Sequence, residues 1–150
     1  MNYLLDSNVV SDFYDKNSSN HHEIGHRLGS LSDEDQVFIS IIALYELEYG
    51  YNNAPEDKKS VVRKKINEAK EDFGILPLTA EGSILFGRLK KSLVDKRNLK
   101  KENAKKHNID IILASTAIIN SCILISADRI YTEIKQQEPT LKTDNWTSNT

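Results

Sequence analysis

The chain has 150 residues, 39% of them apolar and 28% charged, which fits one globular domain over residues 1–150 with a substantial core. The net charge is -2, but residues 88–107 hold nine of the twenty Lys and Arg against two acids, a local +7 that leaves -9 on the remainder. A lone Cys122 excludes an internal disulfide framework, no run is long enough to span a bilayer, and Asp6 interrupts the first apolar stretch too early for a signal peptide. The expectation is a cytoplasmic protein with no membrane partner.

In chain order, Tyr3–Leu5 is a short strand candidate that runs straight into Asp6. Residues 8–14 suggest a first helical segment, Ser18 to Asn20 a polar break, and 21–31 a second helix. Gln36–Ser40 (QVFIS) reads as a strand. Ser40 is placed to cap the helix IIALYELEYGY, which Asn52 to Pro55 should break. Glu56 and Asp57 suit the positive end of the next helix, where Val62, Ile66, Ala69 and Phe73 recur at helical spacing. Residues 75–78 form a third strand candidate, and Thr79 can cap a helix carrying Leu85, Leu89 and Leu93. The basic segment follows, then a very apolar helix over 110–120 opened by Asp110. Cys122–Ser126 is a fourth strand and 141–146 a final edge strand. Strands alternating with helices predict an α/β fold: a mostly parallel sheet of four to five strands with helices on both faces. In such sheets the ligand crevice lies at the carboxyl ends of the strands.

Asp6 and Asp128 sit at those ends, Asp110 in the first turn of its helix, and Glu46 one turn into the helix after the second strand. Taken singly, each acid has a plain structural reading as a turn, a cap or a strand terminator, and Glu46 competes with Glu48. Taken together, carboxylates converging on one rim repel each other unless a cation joins them. Their oxygens are hard ligands, suited to Mg²⁺, with Mn²⁺ as an alternative. Such a cation lowers the pKa of water and neutralises charge on a phosphate oxygen, chemistry that fits phosphodiester cleavage. Ser126, two residues before Asp128, offers a hydroxyl to orient an acid or a water.

Four motifs in order resemble the PIN-domain family and, within it, the VapC-type toxins of bacterial type II toxin–antitoxin pairs: LLDSNVVSDF, SIIALYELEYG, NIDIILASTAI and LISADRIYTEI. The closing DNW fits as well. The resemblance runs from Tyr3 to Trp146, and its Glu-Leu-x-x-Gly pattern selects Glu46 over Glu48. It implies a PIN-like fold and a metal-dependent endoribonuclease. Asp6, Glu46, Asp110 and Asp128 would hold the cation and Ser126 would take the hydroxyl position. It also implies RNA as substrate, transfer RNA being one candidate, and a cognate antitoxin as protein partner. Two departures are KHNI before Asp110, where many relatives have Gly nearby, and Ala127, where Asn is frequent.

Lys96, Arg97, Lys100 and Lys101 are the candidates to hold the RNA backbone, since a basic segment on an acidic chain suggests an anionic partner. The apolar stripes of helices 43–51 and 62–73 would serve a homodimer or the core. A PIN-like module that docks a partner without cutting is the alternative from a different functional class.

Residues 22–26 spell HEIGH, a match to the zinc-peptidase pattern in which His22 and His26 bind one ion and Glu23 acts as base. The pattern with a third histidine fails at Ser32, only 21 residues precede the motif, and Gly25 weakens the helix. The plainer expectation turns Ile24, Leu28 and Leu31 to the core and the histidines outward. Binding of a metal by His21, His22 and His26 without catalysis stays open.

Overall fold

The computed structural model describes residues 1–147, apart from the side chain of Lys101. Five strands form one sheet: β1 (Asn2–Leu5), β2 (Gln36–Ser40), β3 (Gly74–Leu76), β4 (Cys122–Ile125) and β5 (Lys142–Asp144). Their order is β3-β2-β1-β4-β5 and every pairing is parallel. The helices are α1 (Ser7–Phe13), α2 (His21–Gly29), α3 (Ile41–Asn53), α4 (Lys59–Asp72), α5 (Ala80–Arg97), α6 (Lys101–Ala104), α7 (Asn108–Ile119) and α8 (Ile130–Gln137). The expected α/β architecture is therefore present.

Strand alternation divides the core in two. Leu4 and Leu124 face one side of the sheet, where they pack with Leu85, Leu89 and Leu93 of α5, with α7, and with Tyr131 and Ile134 of α8. Leu5, Ile39 and Ile125 face the other side, against Val9 and Val10 of α1, Ile24 of α2, Ala43 of α3 and Ala69 of α4. Because successive side chains on a strand point to opposite faces, these near-continuous apolar runs supply both layers. The stripe Ile66, Ala69 and Phe73 is buried, with Ala69 and Phe73 packed in this core. Val62 stays partly accessible, and on α3 Tyr45 and Tyr49 are 70% and 73% exposed.

The expected ends shift where local chemistry intervenes. β3 begins at Gly74, opposite Phe38, where a Cβ would stand 2.6 Å from the Phe38 ring. It stops before Pro77, which has no amide hydrogen to pair. β5 covers only residues 142–144, because Asp144 and Asn145 turn the chain with side-chain bonds to the amides of Asn145 and Thr147. Glu56 and Asp57 lie in a 3₁₀ turn ahead of α4, and the helix expected over 110–120 begins earlier, at Asn108. The Ser40 and Thr79 caps form as expected, accepting from the amides of Ile42 and Gly82.

The strand order reverses between β1 and β4. The crevice outside the carboxyl ends of these two strands is the topological switch point, where open α/β sheets place their ligands. Among the described residues, no helix is long and apolar enough to cross a membrane.

Candidate active site

Asp6 directly follows β1 at this switch point and is 8% exposed. Both of its oxygens are held. Oδ1 accepts from the Ser7 amide at 2.7 Å, capping α1, and Oδ2 accepts from the Ser126 hydroxyl at 2.7 Å. Ser126, also 8% exposed, follows β4, and its Oγ accepts in turn from the Asp128 amide at 3.0 Å. Asp128 is exposed and turns Oδ1 to the amide of Ile130, 3.1 Å away, at the start of α8. Neighbouring β1 and β4 thus tie Asp6, Ser126 and Asp128 into one hydrogen-bonded unit.

Asp110 arrives from another part of the chain. Because α7 runs back toward β4, its first turn lies at the same rim. His107 Nδ1 stands 3.6 Å from Asp110 Oδ2. Burial, followed by the charge of Asp128, pushes the Asp110 carboxyl above the ordinary range, with His107 opposing. Burial also raises Asp6. The Ser126 and Ser7 hydrogen bonds work against that rise, and the charges of Asp110 and Asp128 add to it. Asp6, Asp110 and Asp128 therefore interact electrostatically, as like charges crowded at one edge.

Glu46 is exposed on α3 and joins this group through Ser7, whose hydroxyl donates to Glu46 Oε1. Ser7 is the neighbour of Asp6, so one dipeptide holds both. Glu48 is committed elsewhere: Arg63 grips both of its oxygens at 2.8 Å and holds its carboxyl below the ordinary range. Of the two glutamates, Glu46 thus lies beside the neighbour of Asp6, and Glu48 is paired with Arg63.

The donor set fits a hard divalent cation. The four candidates offer only carboxylate oxygens, and buried Asp6 and half-buried Asp110 carry repulsion that a cation would relieve. The acids do not form a finished ligand shell. Among the described residues, no three His, Cys, Asp or Glu side chains stand together in a metal-holding arrangement. A cleft of about 420 Å³ opens beside Asp6 and Asp128, lined also by Asn8, Ser11, Asp12, Asn20, Ser126 and Thr147.

Sequence reasoning missed several residues here. Ser7 was available from the DSN motif as a hydroxyl beside the first acid. Asp12 and Asn20 are joined at 3.0 Å in the cleft wall, and their contact depends on how α1 meets α2. Tyr131 is 2% exposed, and its hydroxyl is buried with no formed hydrogen bond among the described residues. An unsatisfied buried hydroxyl costs on the order of 1–3 kcal/mol.

Two sequence expectations meet direct structural findings. In α2, Ile24 is buried while His22 and His26 are exposed, His21 Nδ1 lies 2.8 Å from the Phe13 carbonyl oxygen, and Glu23 pairs with Arg27. This is the surface-helix arrangement, and among the described residues it forms no metal group. In the basic segment, Arg97 clamps Glu133 of α8 through Nε and Nη2, and Lys96 donates to Gln136 at 2.5 Å. Lys100 is exposed, and the Lys101 side chain lies outside the described residues.

The PIN domain family model matches residues 3–136. A comparison with curated proteins finds no match. Among solved structures, the chain is similar to VapBC2 from Rickettsia felis, crystallised bound to a DNA fragment from their promoter. The identity is 23%, the TM-score 0.76, and the alignment covers 97% of this chain and 99% of that one. Similarity to VapBC-1 from nontypeable Haemophilus influenzae reaches 19% identity and a TM-score of 0.73, covering 97% and 98%. A member of the VapBC family of toxin-antitoxin systems from Mycobacterium tuberculosis, VapBC-5, aligns at 14% identity and a TM-score of 0.65, covering 97% and 98%. These structural likenesses are likenesses of fold. With the family model spanning most of its length, the chain belongs to the PIN domain family.

Proposed function

We propose that this PIN-domain protein is a metal-dependent endoribonuclease and the toxin of a toxin–antitoxin pair, acting in the cytoplasm as one PIN-like domain over residues 1–150. The observation that carries the reading is the hydrogen-bonded unit of Asp6, Ser126 and Asp128 at the topological switch point of a PIN fold, with the charge of Asp110 acting on it. Asp6, Glu46, Asp110 and Asp128 would hold Mg²⁺, with Mn²⁺ as an alternative. When bound, the cation supplies positive charge to phosphate oxygens and makes a water more acidic.

The chain's own residues do the rest. Ser126 and the Ser7 amide fix both oxygens of Asp6, so its carboxylate keeps one orientation. Ser7 holds Glu46 against the same edge. The cleft beside Asp6 and Asp128 is the entry for the scissile phosphate, with Asn8 and Ser11 as polar lining. A water nucleophile leaves products with 5′-phosphate and 3′-hydroxyl ends. The segment around Lys96, Arg97, Lys100 and Lys101 would hold the RNA backbone, with Lys100 the exposed member outside the α8 contacts. Such binding weakens steeply with salt.

The VapBC likenesses support an antitoxin as partner and leave room for a homodimer. The exposed Tyr45 and Tyr49 of α3 are candidate contacts for a second copy. Transfer RNA is the first substrate to try.

The test is cleavage of structured RNA with and without Mg²⁺, comparing wild type with Asp6→Asn and Asp110→Asn. Both variants are expected to fall to background. Cleavage that persists unchanged in both would overturn the carboxylate mechanism, and wild type that binds its partner but cuts no RNA would make the chain a docking module.

A further inference from the structure

Two side chains beside Asp110 are not used by the mechanism above. The first is the Tyr131 hydroxyl. It is buried at the start of α8 with no formed hydrogen bond among the described residues, and the charges of Asp6, Asp110 and Asp128 all bear on it. A phenylalanine would fill the same apolar space without leaving a hydroxyl among carboxylates. Packing explains the ring and leaves the oxygen unexplained.

The second is His107, whose Nδ1 faces Asp110 Oδ2 at 3.6 Å, just beyond hydrogen-bond distance. Its other nitrogen, Nε2, is 3.2 Å from Arg97 Nη1. A guanidinium only donates, so Nε2 accepts and the proton of the neutral ring sits on Nδ1, facing Asp110. Arg97 is itself held by the two oxygens of Glu133, from the helix that carries Tyr131. A side chain in the basic segment is thereby built into the support of an acidic one.

We propose that Tyr131 and His107 are positioning residues that set the Asp110 carboxylate toward the cation, with Arg97 holding His107 in place. The proposal rests on the metal-nuclease reading and deepens it. Donors behind a ligating carboxylate fix its orientation, and their loss costs about 10–100-fold in metal affinity or activity.

The experiment measures Mn²⁺ binding to the whole chain by the electron paramagnetic resonance of free Mn²⁺, with RNA cleavage kinetics in parallel. Tyr131→Phe is expected to weaken Mn²⁺ binding about 10-fold. It should lower kcat at limiting Mn²⁺ and recover in excess Mn²⁺, with KM for RNA unchanged and no loss of metal-free melting temperature. His107→Ala is expected to behave alike, while His107→Gln, which keeps a donor, retains part of the affinity. Arg97→Gln combined with His107→Ala should lose no more Mn²⁺ affinity than His107→Ala alone, as expected for residues acting in series on the metal site. If Asp110→Asn abolishes Mn²⁺ binding while Tyr131→Phe and His107→Ala bind as wild type does, this inference is overturned and the nuclease reading stands. If wild type binds no Mn²⁺ and cuts no RNA, both are overturned.

Discussion

Ser126→Ala isolates one hydrogen bond and should show its worth as a function of pH. The hydroxyl donates to Asp6 Oδ2 at 2.7 Å from a buried position, and it opposes the rise in the Asp6 pKa that burial causes. Hydrogen bonds to an ionised partner contribute about 1.5–3 kcal/mol. The second bond lost, from the Asp128 amide, lies beside an exposed residue and is readily replaced by water. We therefore expect about 2 kcal/mol of destabilisation at pH 7.5 without metal, or roughly 4–8 °C in melting temperature for a domain of this size. The bond favours ionised Asp6, so its removal raises the folded-state pKa further above the unfolded one. The extra cost is full above that raised pKa and shrinks as the pH falls through it, because a protonated Asp6 no longer needs the donor. Urea unfolding of wild type and variant at pH 7.5 and near pH 4.5, with a chelator present, measures the difference. Equal losses at both pH values, or a loss under about 0.5 kcal/mol at pH 7.5, would refute the reasoning.

The two neighbouring glutamates should separate cleanly. Glu46→Gln is expected to abolish RNA cleavage with little change in urea midpoint, whereas Glu48→Gln breaks the Arg63 fork, lowers the midpoint and leaves a cleaving enzyme. Loss of cleavage in Glu48→Gln alone would reverse the assignment. Divalent cations should stabilise the chain most where the acids are ionised. Burial raises Asp6 and Asp110, so the metal-free fold binds protons more tightly than the unfolded chain and gains stability as the pH falls through those raised values. Mn²⁺ at 100 times its Kd should add about 2.7 kcal/mol at pH 7.5 and progressively less on acidification. Thermal melts at several pH values test this, and a shift independent of pH counts against the carboxylates as the binding groups.

The legible part of this fold was the part written in local chemistry. Tyr3–Leu5 and Cys122–Ser126 are apolar runs that read as buried strands, and the acids after them were expected at a rim. Ser40 and Thr79 announce their helices because an N-cap needs only its own hydroxyl and an amide two or three residues on. Errors fell at strand ends, where Pro77 and the Asp144–Asn145 turn override propensity. Contacts across long separations were illegible. The Arg97–Glu133 clamp joins residues 36 apart in the chain, and a run of lysines and arginines reads as a solvated basic face whether or not one member is paired across to another helix. Tyr131 was hidden for the same reason, since an aromatic at helical spacing reads as core, and only the packed site shows where its oxygen points.

The fold both gathers the acids and partly offsets their repulsion. In a parallel sheet, a helix that follows a strand starts at the carboxyl edge, and α7, running back toward β4, also starts there. The amides at helix N-termini carry positive partial charge, which favours nearby anions. Asp6 accepts from the first amide of α1, Asp128 accepts from the first amide of α8, and Asp110 sits in the first turn of α7. Three of the four candidate acids are thus placed where the backbone itself favours ionisation. Yet burial and mutual repulsion still leave Asp6 and Asp110 with raised pKa values, so the backbone does not complete the neutralisation. Glu46 stands apart: it lies beyond the first turn of α3, is exposed, and is reached by the Ser7 hydroxyl. Asp6, Asp110 and Asp128 then form an anionic edge held under partial compensation, with Glu46 tied to it through Ser7. The balance of negative charge left on that edge is what a divalent cation would take up.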